Sequence, residues 1–296
     1  MAEAFVDALE FFPRGLVYVG MGLAILVLAK IVQDLLTPYK IGEQLSQKDN
    51  LALALSISGY YLGIVIVFLG ALYEPFGSAI SSDGLGFTSD YWQDVITVLV
   101  YSIIGMLVLN VARILVDKIV LYKFSTESEI INDHNVGTGA VECGIFIALS
   151  LVIAGSISGS SAGPSATIVF GALGLIVLVL YTFFYQFTTP YDIHTQISDN
   201  NAAVGVALAG NLIAIGIVIF KAVFGEFVSW ESSLAEFFTF AVIGFILLFI
   251  VRRIIDLVLF PAVKVSDELA TDKNIGVGLI MSSSVISASL ILFFAV

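Results

Sequence analysis

The sequence is poor in charged residues, and those it has are mostly acidic. Only 12% of the 296 residues are charged, and 12 Lys and Arg stand against 24 Asp and Glu, which gives a formal net charge of −12. Soluble domains carry about a quarter charged residues. Because proteins that bind nucleic acid need a basic surface, this balance excludes nucleic acid as a partner.

Cysteine and catalytic motifs are scarce as well. The single cysteine, Cys143, lies inside an apolar run, which excludes a disulfide framework. The sequence has no phosphate-binding loop, nucleophile elbow or zinc signature, and His134 and His194 lack the spacing of metal ligands. We therefore expect no enzymatic activity, no cofactor and no metal site.

Long apolar runs are what the sequence has instead. Hydrophobic residues make up 59% of the chain, and the mean hydropathy is +1.04. Each run is near the roughly 20 residues that a helix needs to cross a hydrocarbon core of about 30 Å. Helices suit lipid because they satisfy their own backbone hydrogen bonds. The sequence predicts an all-α membrane protein, a bundle of eight transmembrane helices at 12–36, 51–72, 92–118, 136–157, 165–187, 202–222, 234–258 and 275–295.

The basic residues indicate how the spans are oriented. Arg14 and Lys221 are the only basic residues that fall on one side of the membrane, and all others lie at helix ends and connections on the opposite side. The side rich in Lys and Arg, called the basic face below, is predicted to be cytoplasmic. Both termini then lie on the outer side of the membrane.

The even-numbered spans repeat one pattern that starts at an asparagine. Positions two, six, nine and thirteen residues after that asparagine share one helical face, and all of them except Val141 and Ile280 are small. We call this face the seam. In chain order, each starting asparagine is followed by its seam residues: Asn50 by Ala52, Ser56, Gly59 and Gly63; Asn135 by Gly137, Val141, Gly144 and Ala148; Asn201 by Ala203, Ala207, Gly210 and Ala214; Asn274 by Gly276, Ile280, Ser283 and Ser287.

Two interpretations of this pattern stay open. Small residues let helix backbones approach closely in lipid, and an asparagine side chain caps the first turn of a helix. Alternatively, four equivalent asparagines around an axis would form a polar ring at the mouth of a pathway, with the seam as its lining.

The odd-numbered spans carry a base four residues before an acid, which places both on one helix face. Span 5 departs from the rule, with Thr182 and Gln186 in these places. Near the basic face the two charges would neutralise each other or form part of a polar pathway. The pairs are Lys30 with Asp34, Arg113 with Asp117, and Arg252 with Asp256.

A longer repeat divides the chain into halves. The stretch "LTPYKIGEQLSQKDN" is similar to "TTPYDIHTQISDNN" one half later. The sequence therefore predicts four parallel two-helix repeats, related by an axis along the membrane normal. They group into two duplicated four-helix units, residues 1–160 and 161–296.

Glu142 breaks the repeat, because the equivalent positions hold Ile57, Leu208 and Met281. A carboxylate about two turns inside a span costs a few kcal/mol unless it is paired, hydrated or protonated. We expect either a functional site paired with Arg113 or Lys118, or a neutral acid bonded to Asn110 or to a hydroxyl. Asn211, near the middle of its span, is a weaker candidate, and a role in holding helices together is favoured.

The chain resembles the YjfL-like family, small bacterial inner-membrane proteins with a domain of unknown function. The resemblance rests on a Thr-Pro pair, an acid, an asparagine followed by small residues, and Ser-Gly. These are Thr37, Pro38, Glu43, Asn50, Ser58 and Gly59 in the first half, and Thr189, Pro190, Asn201 and Gly210 in the second, where Thr195 replaces the acid. The likeness implies a location in a bacterial inner membrane, with both termini then periplasmic, and a tandem fusion of two four-helix units. It also implies a genomic setting near membrane-stress proteins of the phage-shock type.

Two functions follow as hypotheses. The protein is a conduit or sensor for a small ion or solute, with Glu142 and the charged helix ends along its path. Alternatively, it is a membrane scaffold whose short cytoplasmic connections bind peripheral membrane-stress proteins, with homo-oligomerisation as a further option. A polar cavity containing Glu142 would favour the first hypothesis, and a sealed Glu142 would oppose it.

Overall fold

Twelve α-helices make up the part of the chain that the computed structural model describes, residues 2–81, 89–158, 163–224 and 227–295. The eight long helices are α1 (Ala2–Leu36), α3 (Leu51–Ser81), α4 (Ser89–Val120), α6 (Val136–Ser158), α7 (Pro164–Thr188), α9 (Ala202–Val223), α10 (Trp230–Leu259) and α12 (Ile275–Ala295). The four short ones are α2 (Ile41–Ser46), α5 (Thr126–Ile131), α8 (Ile193–Ser198) and α11 (Val265–Ala270).

The eight long helices contain the predicted spans. Each has a stretch long and apolar enough to cross a membrane, so the described chain is an all-α, eight-helix membrane protein as expected. The predicted boundary between halves, 160/161, lies outside the described residues. The four short helices were not predicted, because six residues are too few to show a helical period.

The spans form two layers. In one layer the even-numbered spans α3, α6, α9 and α12 pack side by side as a row, each against the next. In the other layer, α4, α7 and α10 lie in the grooves of that row: α4 contacts α3 and α6, α7 contacts α6 and α9, and α10 contacts α9 and α12. The first span, α1, packs on α3 and α4. The expectation that four repeats could surround an axis is not met within one chain, because α3 and α12 lie at the two ends of the row.

The seam holds the row together. A Cβ atom added at Gly144 would lie 2.6 Å from the Cα of Ala209, and one added at Gly278 would lie 2.6 Å from the carbonyl oxygen of Ala203. Such distances leave no room for a side chain, so backbone meets backbone, as small residues allow in membranes. Three seams, those of α3, α6 and α9, face the next even-numbered span. The fourth, on α12, is exposed.

Each even-numbered span is entered through the same turn. A short helix ends, one residue adopts a left-handed conformation, and the asparagine follows. The left-handed residues are Asp49, His134, Asn200 and Lys273, with φ of 47°, 50°, 55° and 49°. Asp, Asn and His tolerate this region better than most residues. The turn therefore recurs at one place in all four repeats and fixes where each short helix lies beside its span.

Candidate functional site

The four asparagines act as caps, and three of them also join neighbouring repeats. Asn135 Oδ1 accepts a hydrogen bond from the amide of Thr138, 3.0 Å away, which satisfies a free amide of the first turn of α6. Its Nδ2 donates to the carbonyl oxygen of Ile197, at the end of α8 in the next repeat. The same bond joins Asn50 to Ile130 and Asn201 to Leu269, at 2.8 Å each. These three asparagines are buried, so they close the basic end of the row and do not line an open pathway.

Glu142 lies in a closed polar cluster, called the first-half site, made of Ser56 on α3, Arg113 and Asp117 on α4, and Glu142 on α6. Ser56 Oγ donates to Glu142 Oε2, and the Arg113 guanidinium pairs with Glu142 Oε1. Arg113 Nε lies 3.1 Å from Asp117 Oδ2. The side chain of Glu142 is 2% exposed. One guanidinium thus holds two carboxylates, and a hydroxyl completes the shell of the buried one.

This arrangement explains why Glu142 is tolerated inside the membrane. A buried charge is costly unless it is paired and hydrogen-bonded, and the first-half site supplies both conditions. Of the partners that the sequence suggested, Arg113 and a hydroxyl are realised. Asn110 instead donates to Tyr60 Oη and to the carbonyl of Met106. A sealed Glu142 opposes a solute path through this position.

The equivalent place in the second half is built from the corresponding helices, α9, α10 and α12, but two of its four residues differ in type. The second-half site consists of Ala207 on α9, Arg252 and Asp256 on α10, and Met281 on α12. Ala207 replaces Ser56 and Met281 replaces Glu142, so the site loses its buried carboxylate and the hydroxyl that held it. Within the described chain, Arg252 has no carboxylate at ion-pair distance: it stacks over the Tyr185 ring at 4.3 Å and donates to Thr189 Oγ1 at 3.3 Å.

A cavity of about 280 Å³ adjoins the second-half site. The cavity is lined by residues of three regions. The row of even-numbered spans contributes Ala207, Asn211 and Met281, and α10 and the α7–α8 connection contribute Arg252, Asp256 and Tyr191. Lys264, just before α11, and Leu269, on α11, also line it. Asp256 Oδ1 and Tyr191 Oη are buried there without a hydrogen-bond partner; Asp117 Oδ1 of the first-half site also lacks one, so the Tyr191 hydroxyl is what distinguishes the cavity. Buried polar atoms are normally satisfied, so this cavity is suited to a polar ligand or to water.

The charges around the cavity favour an anion. Arg252, Arg253 and Lys264 line it together with a single acid, Asp256. A guanidinium binds carboxylate or phosphate groups through two parallel hydrogen bonds. Tyr191, on the connection between α7 and α8, keeps its proton because burial raises the pKa of its hydroxyl, and so adds a neutral donor.

The remaining predicted site residues lie elsewhere or have structural roles. Lys30 and Asp34 form an exposed ion pair of 2.9 Å on α1, away from both polar sites. Asn211 lines the cavity, but its side chain is engaged: Nδ2 donates to the carbonyl of Ala207, and Oδ1 accepts from Tyr181. Its role in joining α7 to α9 agrees with the favoured interpretation.

Sequence reasoning did not name the two tyrosines that line the cavity, Tyr185 and Tyr191, as site residues. It named Thr189, which accepts a hydrogen bond from Arg252, only as part of the family pattern. One signal was present: "TPY" occurs in both halves, so Tyr191 is equivalent to Tyr39. Tyr39 lies in the field of Arg113 and Glu142, where burial, and then Glu142, raises its pKa to about 12.

Comparison with known proteins agrees with this architecture. A family model described as Domain of Unknown Function (DUF350) matches twice, at residues 7–157 and 160–296. The chain is also 22% identical over 273 residues to a "UPF0719 transmembrane protein" of Aquifex aeolicus (strain VF5), an alignment that covers 90% of this chain and 94% of the relative. No solved structure matches. The chain therefore belongs to the DUF350 family, of which it carries two copies, and is a multi-pass transmembrane protein.

Proposed function

We propose that the protein is a non-enzymatic membrane sensor for a small solute that carries a carboxylate or phosphate group. The solute enters from the basic face and binds in the second-half cavity. One observation carries this proposal: Arg252 lacks a carboxylate partner at the place where Glu142 supplies one to Arg113. The acidic group of the solute would occupy the position that the Glu142 carboxylate holds in the first half.

The size and shape of the cavity support a ligand rather than an ion path. Ligand pockets of proteins start at about 300 Å³, so a volume of about 280 Å³ fits a compact solute. The even-numbered spans are in backbone contact at their seams, and Glu142 is sealed. These features favour a binding protein over the conduit version of the same hypothesis.

The position of α11 gives such a sensor an output. Val265, Ser266 and Leu269 of α11 line the cavity, and the carbonyl of Leu269 accepts the bond from Asn201. A ligand that contacts α11 would stabilise this helix on the row. Because α11 lies on the predicted cytoplasmic face, peripheral proteins could read the change, which unites the sensor and scaffold hypotheses. A bacterial inner-membrane location, periplasmic termini and membrane-stress partners are part of this proposal.

Ligand-dependent thermal stability of the full chain tests the proposal. The protein is placed in phosphatidylcholine nanodiscs and heated with chloride, inorganic phosphate, acetate or succinate at constant ionic strength. A ligand that binds only the folded state at 100 times its Kd adds about 2.7 kcal/mol. We expect phosphate or a carboxylate, and not chloride, to raise the Tm of the wild type.

Two variants with the same change in charge provide the control. Arg252→Gln should abolish the increase, and Lys30→Gln, on the exposed pair of α1, should keep it. Nanodiscs that contain phosphatidylglycerol distinguish a lipid headgroup from a free solute, because a bound headgroup would compete with the added anion. An equal Tm increase in wild type and Arg252→Gln, or no increase with any anion in neutral nanodiscs, would overturn the proposal.

A further inference from the structure

The row of even-numbered spans ends in two different surfaces. At one end, the seam of α12 is uncovered: its residues Gly276, Ile280, Ser283 and Ser287 are all exposed, whereas the equivalent residues of α3, α6 and α9 are buried. In the central stretches of α6 and α9, 83% of the residues are buried, against 28% in α12. A seam built for close packing thus has no partner within the described chain.

At the other end, α3 presents the surface that receives a seam. Inside the chain, each seam packs on the next even-numbered span, at the positions four and eight residues after the asparagine that starts that span. The Cβ of a residue at Gly205 would meet Gly137, and one at Gly210 would lie 2.5 Å from the Cα of Ser282. On α3 these receiving positions are Ala54, which is half-buried, and Ser58, which is exposed. Both are small, but Ala54 stands where the internal receiving positions hold glycine, and Ser283 where the internal seams do, so a contact between copies has a wider spacing than the internal contacts.

The hydrogen bonds of the repeats are also complementary at the two ends. Asn274 is exposed, and among the residues that the structure describes its Nδ2 donates only to Glu268 of its own repeat, at 2.9 Å. The three buried asparagines each donate to the second-last residue of the next short helix. In α2 that residue is Leu45, which is half-buried, whereas its three counterparts are buried. The chain therefore has a spare donor at one end and the matching acceptor carbonyl at the other.

We infer that copies of this chain assemble head to tail in the membrane, with the α12 seam of one copy packed on α3 of the next. Asn274 of one copy would donate to the carbonyl of Leu45 in its neighbour, so the contact continues the internal row. The parallel orientation of the repeats keeps both copies the same way up in the bilayer. Such a contact joins two different surfaces, and it propagates as a closed ring or an open array.

The contact is closest near the basic face. Gly276 and Ser283 oppose Ala54 and Ser58 there, whereas the far end brings together the exposed side chains of Phe294 and Leu69. Small residues on both sides near the asparagine give the backbone contact that drives association in lipid. The pair Ser283 and Ser58 is equivalent to Gly210 and Ser282, where an added Cβ would lie 2.5 Å from the Cβ of Ser282. At the wider spacing between copies, the two Cβ atoms should lie at the roughly 3.5–4.5 Å of a disulfide.

Cysteine cross-linking in native membranes tests this contact. In a Cys143→Ser background, one tagged chain carries Ser58→Cys and a second, differently tagged chain carries Ser283→Cys. On oxidation we expect a covalent dimer that contains both tags, and a ladder of multimers when one chain carries both substitutions. A dimer of either single variant with itself, or no mixed dimer, would overturn the inference.

The mass of the purified particle provides an independent measurement. The wild type is expected to contain several copies, and Ser283→Trp should reduce it to one because the large ring blocks the seam. Leu257→Trp, at an exposed site on α10, is the matched control and should leave the assembly intact. A wild-type particle with a single copy, or equal loss of assembly in both variants, would contradict the inference. Neither outcome depends on anion binding, so this inference and the proposed function fail separately.

Discussion

The two halves of the molecule place the same arginine in opposite situations. In the first half, Arg113 is held between Glu142 and Asp117, and the site is closed. In the second half, Arg252 lies against Tyr185 and Thr189 beside a cavity of about 280 Å³. The helices around both arginines correspond one to one, and the main difference is the residue at position 142 and at its equivalent, Met281.

The comparison shows how a duplicated scaffold can separate structure from binding. A carboxylate that belongs to the chain turns the first site into a stabilising ion-pair cluster. Without that carboxylate, the second site keeps the cation beside a cavity, and we propose that its partner comes from outside. The first half is thus a model, within the same molecule, of how the second half would hold an anion.

The largest expected effect comes from removing each arginine. Arg113→Met should lower the free energy of unfolding by about 3–5 kcal/mol, because it leaves the buried Glu142 unpaired. Arg252→Met should cost only about 1 kcal/mol, since it removes a cation–π contact and one hydrogen bond. Reversible unfolding in mixed micelles measures both values. Equal losses would show that the two sites are not different in kind.

The next effect comes from converting the second site into a copy of the first. Met281→Glu, combined with Ala207→Ser, should place a carboxylate against Arg252 and fill the anion position. The increase in stability on adding ligand, about 2.7 kcal/mol at 100 times Kd in the wild type, should then disappear. The melting curve with and without phosphate or succinate gives the answer. If the double variant still responds to the ligand, the ligand binds somewhere other than this cavity.

A smaller effect distinguishes the asparagines. Asn135→Ala removes a cap, worth about 1 kcal/mol, and leaves the carbonyl of Ile197 without its partner, at a further cost of about 1–3 kcal/mol. In a single copy, Asn274→Ala removes the cap and an exposed hydrogen bond to Glu268, but no bond to another repeat. Unfolding is compared in the monomeric Ser283→Trp background. Similar losses for the two variants would contradict the role of Asn135 as a link between repeats.

The smallest effect is expected for the remaining base–acid pair, Lys30 and Asp34 on α1. Lys30→Met breaks an ion pair that is exposed on both sides, and such pairs contribute little. We expect no change in Tm beyond the error of the measurement. A clear loss would mean that the spacing itself, and not the burial of the charges, decides their contribution.

Much of the fold was predictable because it depends on composition and period. The eight spans, the four repeats and the seam follow from apolar length and from small residues at a helical interval after Asn50 and its equivalents. The four short helices and the left-handed turns before the asparagines were missed. Their conformation is fixed by tertiary contacts, such as the bond from Asn135 to Ile197, which no local pattern contains.

The candidate site was predictable only in part. Glu142 stood out because a carboxylate is costly inside a membrane, and Arg113 was named among its possible partners. The base–acid pairs themselves did not mark Arg252 as different from Arg113, since both have an acid four residues later, and the repeat showed Met281 in place of Glu142 without showing which arginine each residue lies beside. The difference arises from residues on other helices, Ala207 and Met281, which are distant along the chain.

The sequence by itself determined that the chain spans a membrane eight times in four similar units, because hydrophobic length and small-residue period act locally along each helix. Only the tertiary structure decided that the units form an open row, that Glu142 is sealed while Arg252 faces a cavity, and that one seam stays uncovered. These properties depend on which faces of separate helices meet, and that is set by packing in three dimensions.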